Sequence, residues 1–188
     1  MAGSDAHASL AASPWVVRWA SLLPAGAAVL DLACGSGRHV RWLAARGLMV
    51  TAVDRDAAAV EPLRYLPGVD VRVSDLENQS WPLEGHRFDA IVVTSYLWRP
   101  LWPKLIESLR PNGMLIYETF NIDNASIGKP SNPAFLLEHG ELLERTVELT
   151  TLAYEDGFLT DPDRHVQRIA AVASSEPGRP AQIRRYPL

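Results

Sequence analysis

A glycine-rich turn between an apolar run and a helix-like segment constrains the fold of this chain more than any other feature. Residues 29–32 are apolar except for Asp31, and "ACGSG" follows them, with Gly35 and Gly37 separated by one residue. The next segment, "RHVRWLAARG", has the apolar spacing of an amphipathic helix, and Gly47 is a typical stop signal at its end. A strand, a glycine turn and a helix in this order predict a Rossmann-like unit that binds a nucleotide-like ligand at the helix N-terminus.

The residues around the two glycines distinguish between two classes of ligand. A dinucleotide site uses G-x-G-x-x-G, whereas Val40 stands here where the third glycine would be. The carboxylate of Asp31 would repel a pyrophosphate but attract an ammonium group. S-adenosylmethionine carries an ammonium and a sulfonium and no phosphate, so the local charge favours it over NAD. An NAD(P)-dependent oxidoreductase on a related fold and a non-catalytic protein that binds S-adenosylmethionine stay as alternatives.

Two further acids follow the next two predicted strands. Asp54 ends the second strand, where a carboxylate can hold both hydroxyls of a ribose. Asp75 follows the third strand, in "VSDL", where a carboxylate can accept a hydrogen bond from the adenine amino group. Either acid alone could be a helix N-cap. Because the carboxyl ends of adjacent parallel strands line one crevice, we expect both acids to share a site with Asp31.

The remainder of the chain alternates between strand-like and helix-like segments as far as Phe120. Runs such as "LMVTAVD", "FDAIVVTSYL" and "GMLIYETF" are separated by amphipathic stretches, which predicts an α/β fold with a parallel sheet and helices on both faces. We expect "LWPKLIESLRPNG" to be a helix closed by its Pro-Asn-Gly turn, and Ser13 to cap a first helix from Pro14. "LTTLAYEDGFL" and "RHVQRIAAVAS" predict an antiparallel hairpin at the sheet edge.

These segments together resemble the class I S-adenosylmethionine-dependent methyltransferases. "VLDLACGSGR" is similar to the first motif of that family, "VTAVDRD" to its ribose-binding strand and "SDLE" to its adenine-binding turn, while "FDAIVVTSYL" and "LRPNGMLIYE" match later elements. The resemblance covers residues 29–174. It implies a Rossmann-like, doubly wound seven-stranded sheet that is mostly parallel, with a C-terminal antiparallel hairpin, and an enzyme that transfers a methyl group by in-line displacement.

The resemblance also implies a set of cofactor contacts at the ends of the first three strands. The glycine turn would lie beside the methionine part, the acid after the second strand would bind the ribose, and the third strand end would hold the adenine. Eight residues make up this set: Asp31, Ala33, Gly35, Gly37, Asp54, Arg55, Asp75 and Leu76.

The methyl acceptor is expected at the ends of the fourth and fifth strands. Tyr96 and Glu118 are candidate catalytic residues there, with Glu118 as a base or as a group that orients the acceptor. The alternatives are that Tyr96 lines a pocket or packs between sheet and helix, and that Glu118 is a paired structural acid. Trp98 could wall the acceptor pocket and Arg99 could bind an anionic acceptor, although core packing and a solvated position are the alternatives for these two residues.

The long connection at residues 121–138 predicts a lid over the acceptor. It is rich in Asn, Gly and Pro, and long loops without regular structure often close over sites. "GKPSNPAFLL" followed by "GELLE" is similar to small bacterial methyltransferases of the tellurite-resistance-protein-like subgroup. In that interpretation Lys129 and the apolar "FLL" at residues 135–137 close over the site, and a mobile surface loop is the alternative.

The length and composition of the chain limit the other possibilities. The 188 residues suit one domain with a flexible N-terminus at 1–12 and a tail at 175–188, and so small a domain favours a small-molecule acceptor. The net charge of −4 argues against a nucleic-acid partner, and no apolar run reaches the length of a membrane span. The single cysteine, Cys34, excludes an intrachain disulfide and favours a cytoplasmic location. We expect Cys34 to be a packing residue, His39 a surface or capping residue, and no metal site; the oligomeric state stays open.

Overall fold

The computed structural model describes residues 11–175 and 186. The N-terminal flexibility and the tail expected from the sequence lie largely outside these residues. Ser13 caps the first helix as expected, because its side-chain oxygen accepts a hydrogen bond from the backbone N–H of Trp15 and Pro14 occupies the first turn. No helix in the described residues is long and apolar enough to cross a membrane.

Seven strands form one sheet in the order β3-β2-β1-β4-β5-β7-β6. The pairs among β1 to β5 are parallel, whereas β7 runs antiparallel to both β5 and β6, which confirms the predicted fold and its C-terminal hairpin. Successive strands are added to one side of β1 as far as β3 and to the other side from β4 onwards, so the strand order reverses between β1 and β4. Ligands bind such sheets in the crevice that opens at this point. The strands are β1 (Ala28–Leu32), β2 (Met49–Asp54), β3 (Val69–Val73), β4 (Phe88–Thr94), β5 (Leu109–Phe120), β6 (Thr150–Leu159) and β7 (Arg164–Val172).

The helices are short. The α-helices are α1 (Pro14–Ala20), α2 (Arg38–Ala45), α3 (Ala57–Val60), α4 (Trp102–Glu107) and α5 (Glu141–Arg145), and 3-10 turns lie at Glu61–Tyr65, Arg99–Leu101, Ile122–Ser126 and Pro133–Phe135. α4 ends at Glu107, earlier than the sequence suggested. The expected Pro-Asn-Gly helix stop belongs instead to an irregular start of β5, where Asn112 adopts a φ of 62°.

Alternate residues of the central strands bury two separate apolar layers. In β4, Ala90 and Val92 contact the layer that holds α1 and α2, whereas Ile91 and Val93 contact the layer that holds α4 and α5. All four side chains are fully buried. A strand that is buried on both faces reads as a continuous apolar run, which is why "AIVV" identified a central strand.

Candidate active site

The turn after β1 has a backbone that leaves space for a ligand. Gly35 has a φ of 54°, and a Cβ at this position would meet nothing within 4 Å. Gly37 has a φ of 80°, and a Cβ there would lie 2.5 Å from the side chain of Leu63. Ala33 also adopts a left-handed φ, of 53°, which is costly for a residue with a side chain. The turn therefore requires glycine at Gly37 for packing, whereas Gly35 faces open space.

Asp54 fastens this turn to the end of β2. One carboxylate oxygen accepts a hydrogen bond from the backbone N–H of Gly35 at 2.7 Å, and the other accepts from the N–H of Asp56 at 2.9 Å. Each oxygen retains a second lone pair, so the carboxylate can still accept two hydroxyl groups. Its position agrees with the expected ribose contact.

Asp75 lies two residues beyond the end of β3, in a turn that the carboxylate itself organises. It accepts hydrogen bonds from the side-chain amide of Asn78 at 2.9 Å and from the backbone N–H of Glu77 at 3.0 Å. The Asn78 amide, and then the Glu77 N–H, lower the pKa of Asp75. The group is therefore ionised at neutral pH and available as an acceptor.

Asp31 is the most unusual acid of the three. Its side chain is 1% exposed, and neither carboxylate oxygen has a hydrogen-bond partner among the described residues. Burial raises its pKa to about 7, and the charge of Asp54 adds to this effect. The charge of Arg38 opposes it, as does, less strongly, the backbone N–H of Val40, which makes no well-formed hydrogen bond to the carboxylate. A buried carboxylate without a partner is costly, and a cationic group bound at the turn would offset that cost.

A cavity of about 390 Å³ opens in front of these strand ends. Of the eight expected cofactor residues, Ala33, Asp54, Arg55, Asp75 and Leu76 line it. The other three are not in the lining, since Asp31 lies within β1 and Gly35 and Gly37 belong to the turn that follows β1. The other lining residues are Ser74, Glu77, Ser95, Tyr96, Leu97, Phe120, Pro130 and Phe135. We refer to this space as the first cavity.

Tyr96 lies beside the acids at the end of β3 rather than beside Glu118. Burial and then the nearby carboxylates of Glu77 and Asp75 raise the pKa of its hydroxyl far above the usual value. The phenol therefore stays neutral and is poorly suited to act as a base. Its place in the lining makes it a wall of the first cavity instead.

A second cavity of about 400 Å³ shares Ser95 and Phe120 with the first. Glu118 lines it and is 6% exposed. The Ser13 hydroxyl donates a hydrogen bond to one oxygen of Glu118 at 3.0 Å, and Arg168 approaches the other at 3.5 Å. The second cavity is thus bounded by the N-terminus of α1 on one side and by the end of β5 on the other.

The three expected substrate-binding residues line neither cavity. The guanidinium of Arg99 donates to both carboxylate oxygens of Glu141 at 2.7 Å and to the carbonyl oxygens of Ala134 and Leu136. Burial alone would raise the pKa of Glu141, but the Arg99 hydrogen bonds lower it. Arg99 therefore anchors the 121–138 connection to α5 and has no free donor fork for an anion.

Trp98 and Lys129 are also displaced from the cavities. Trp98 packs, partly buried, against the apolar layer of α4. Lys129 borders a further depression between the 121–138 connection and the β6–β7 turn, which shares Phe120, Pro162 and Arg164 with the second cavity. The loop nevertheless reaches the first cavity through Pro130 and Phe135.

His39 and Cys34 are both buried. The expectation of a surface or capping role for His39 is wrong, because its Nε2 accepts a hydrogen bond from the N–H of Ser13 and its ring is 1% exposed. Burial and then the charge of Arg38 lower the pKa of His39 to about 3. Burial raises the pKa of the Cys34 thiol well above its usual range, in agreement with a packing role. No group of His, Cys, Asp and Glu in the described residues could hold a metal ion.

Sequence reasoning missed several lining residues. Ser95 and Phe120 connect the cavities, and Ser95 has a strained φ of 53° at the end of β4. Its location one residue past a central strand is the signal that could have identified it, since ligands bind at such ends. The hydrogen bond of Ser13 to Glu118 depends on long-range folding and leaves no local signal, whereas Phe135 belongs to the apolar "FLL" segment that was expected to close over the site.

Residues 29–113 match a family model described as a methyltransferase domain. No curated protein sequence matches the chain significantly. Among solved structures, TehB from Haemophilus influenzae superposes with a TM-score of 0.72 and 20% identity, over 89% of this chain and 64% of TehB. This chain thus spans less than two thirds of that protein.

Two further structures support the same fold. The N-methyltransferase NodS from Bradyrhizobium japonicum has a TM-score of 0.66 and 16% identity, over 84% of this chain and 90% of NodS. A TehB-like S-adenosylmethionine-dependent methyltransferase from Corynebacterium glutamicum has a TM-score of 0.61 and 19% identity, over 85% and 86% of the two chains. At these identities the likeness shows the fold alone.

Proposed function

We infer that this chain, a class I S-adenosylmethionine-dependent methyltransferase by its matched domain and its fold, methylates a small-molecule acceptor by in-line displacement. One observation carries the proposal furthest. The carboxylates of Asp54 and Asp75 border the first cavity. The buried carboxylate of Asp31, which has no hydrogen-bond partner among the described residues, lies at the end of β1 just before the glycine turn. This arrangement suits a cationic, phosphate-free nucleoside and disfavours a pyrophosphate.

The residues present fit S-adenosylmethionine from end to end. The Gly35 turn and the charge of Asp31 would hold the methionine part, whose ammonium offsets the buried carboxylate. Asp54 would accept the ribose hydroxyls, and Asp75 would accept the adenine amino group, with Leu76 and Tyr96 as apolar walls. When bound, the cofactor supplies a methyl carbon already activated by its sulfonium, and the sulfur takes the electron pair of the broken bond.

The protein has little covalent chemistry to perform in such a transfer. Its contribution is to align the acceptor with the methyl group and to exclude water. The 121–138 connection serves this purpose in our proposal, as a lid over the first cavity. Pro130 and Phe135 already border the cavity, and Arg99 fixes the loop behind them.

The choice of a small acceptor is supported by the size of the second cavity, about 400 Å³. The net charge of −4 does not favour a nucleic acid. A cytoplasmic location belongs to the same proposal, because the one cysteine is a buried free thiol. NodS is named as an N-methyltransferase, whereas the name of the TehB-like protein gives no acceptor atom. The proposal therefore takes its acceptor from neither protein.

Calorimetry with S-adenosylhomocysteine tests the proposal. We expect binding that Asp54→Ala weakens by about 10- to 100-fold, because a charge-assisted hydrogen-bond pair is lost. Asp70→Ala is the matched control, since this exposed acid on β3 pairs only with Arg72. Failure of the wild-type protein to bind would overturn the proposal, and binding of NAD(P)H in its place would favour an oxidoreductase.

A further inference from the structure

The second cavity has the composition of a binding site for a polar molecule. It lies beside the first cavity, with Ser95 and Phe120 in the lining of both, so a molecule in it would approach the cofactor cleft directly. Its walls combine apolar groups with two carboxylates and two guanidinium groups. They are formed by Ala11, Ala12, Ser13, Pro14, Arg38, Ser95, Glu118, Thr119, Phe120, Asp161, Pro162, Arg164 and Val166.

Glu118 is the buried charge of this cavity. The residue is 6% exposed, and its Oε2 atom is buried without a hydrogen-bond donor among the described residues. Arg168 lies 3.5 Å from that oxygen, beyond a good hydrogen bond, and its guanidinium also contacts Glu155 and the ring of Trp15. Glu118 lines the cavity, and a buried carboxylate with one oxygen that lacks a donor suits a ligand that brings an N–H or O–H group.

Arg164 supplies the opposite charge on the same face of the sheet. Phe120 pairs with Val166 and Glu118 pairs with Arg168 across β5 and β7, so the side chains of Arg164, Val166 and Arg168 share one face with Glu118. Arg164 is four residues from Arg168, roughly 13 Å along the strand. Its guanidinium donates a hydrogen bond to the carbonyl of Pro162, and it forms no ion pair with the described residues.

We propose that the second cavity binds the methyl acceptor, and that the acceptor is a small amino carboxylic acid whose amino group faces Glu118 and whose carboxylate faces Arg164. The cavity carries both signs of charge, with Asp161 and Arg38 at its border, and therefore favours a ligand that carries both. The inference rests on the proposed methyl transfer.

The atoms of the reaction balance with Glu118 in this role. The acceptor binds as an ammonium and first passes one proton to the carboxylate of Glu118 and from there to water, which frees the nitrogen lone pair. That lone pair forms the new bond to the methyl carbon, and the bond from that carbon to sulfur breaks with its electron pair on sulfur. The methylated nitrogen then carries the positive charge that the sulfonium has lost. The neutral thioether product and the methylated acceptor then leave, so no oxidant or reductant is needed.

The test is calorimetry of a series of ω-amino carboxylates with two to six carbons, on the full chain saturated with S-adenosylhomocysteine. We expect at least one member to bind, and n-alkylamines or n-alkanoates of the same length to bind about tenfold more weakly or worse. Arg164→Gln should reduce that affinity about tenfold. Glu118→Gln should reduce it as well and abolish the preference for the amine-bearing member.

The affinity for S-adenosylhomocysteine itself separates this inference from the proposed function. It should be unchanged in Arg164→Gln, which also shows that the variant is folded. If it falls, the second cavity belongs to the methionine end of the cofactor and the inference is wrong. The inference is also overturned if S-adenosylhomocysteine binds but no ω-amino carboxylate does, a result that leaves the proposed function intact.

Discussion

Replacing Asp31 by asparagine is expected to stabilise the free protein at alkaline pH and to weaken its binding of the cofactor. The carboxylate is buried without a partner, and burial raises its pKa from 3.8 to about 7. The folded state therefore disfavours the ionised form that the unfolded chain adopts freely. The same charge is what a bound ammonium group requires, so stability and affinity should change in opposite directions.

The magnitude follows from the two pKa values. Below pH 3.8 both states are protonated and ionisation costs nothing. The cost then increases with pH until about pH 7, where the folded state also ionises. It amounts to about 2 kcal/mol at pH 5 and about 4 kcal/mol at pH 8. Asparagine carries no charge, so its advantage over Asp31 should grow by about 2 kcal/mol between these pH values, whatever the fixed cost of burying its amide.

Urea unfolding of both proteins at pH 5 and pH 8 measures this difference, because groups other than the neighbours Cys34, Arg38 and Asp54 titrate alike in the two chains. Calorimetry with S-adenosylhomocysteine at pH 8 should show about tenfold weaker binding for Asp31→Asn. Asp163→Asn, at an exposed acid, is the control for both measurements. Equal pH dependence of wild type and Asp31→Asn, or equal affinity for the cofactor product, would refute the reasoning.

Three further predictions concern the supports of the site. Gly37→Ala should lower the free energy of unfolding by about 3 kcal/mol, and Gly26→Ala by only about 1 kcal/mol. Both glycines have a φ near 80°, but only a Cβ at Gly37 would meet a side chain. Equal losses of the two variants in urea unfolding would contradict this. Arg99→Ala should speed proteolysis within residues 121–138, since the guanidinium holds that connection; an unchanged cleavage rate would show that other contacts suffice. The hydrogen bond to Asp156 raises the pKa of His139 above 6.5, so this pair should stabilise the fold at low pH and lose its effect as the imidazole deprotonates. An NMR titration measures the pKa of His139, and a value below 6.5 would contradict the prediction.

The sheet, and the placing of most of the expected cofactor residues around one cavity, could be predicted because their signals are local. A glycine turn, the acids directly after two strands and continuous apolar runs are readable over a few residues. Asp54 and Asp75 accordingly line the first cavity as expected. The antiparallel C-terminal hairpin also agrees with the prediction from its two extended segments.

The acceptor side could not be predicted in the same way, because long-range contacts form it. Arg99 looked available for an anion, yet the chain brings Glu141 to it from 42 residues away. His39 looked exposed at the start of a helix, but the segment before α1 covers it through Ser13. Glu118 was selected for its place at a strand end, and only the folded chain shows the cavity that it faces.

A crystal structure with S-adenosylhomocysteine tests the central claim most directly. We predict the ribose hydroxyls on the carboxylate of Asp54, the adenine amino group at Asp75, and the sulfur facing Ser95, where the two cavities meet. Arg164 and Glu118 should then remain free of contacts with the ligand. A ligand bound away from the first cavity, or with its ribose far from Asp54, would contradict the account.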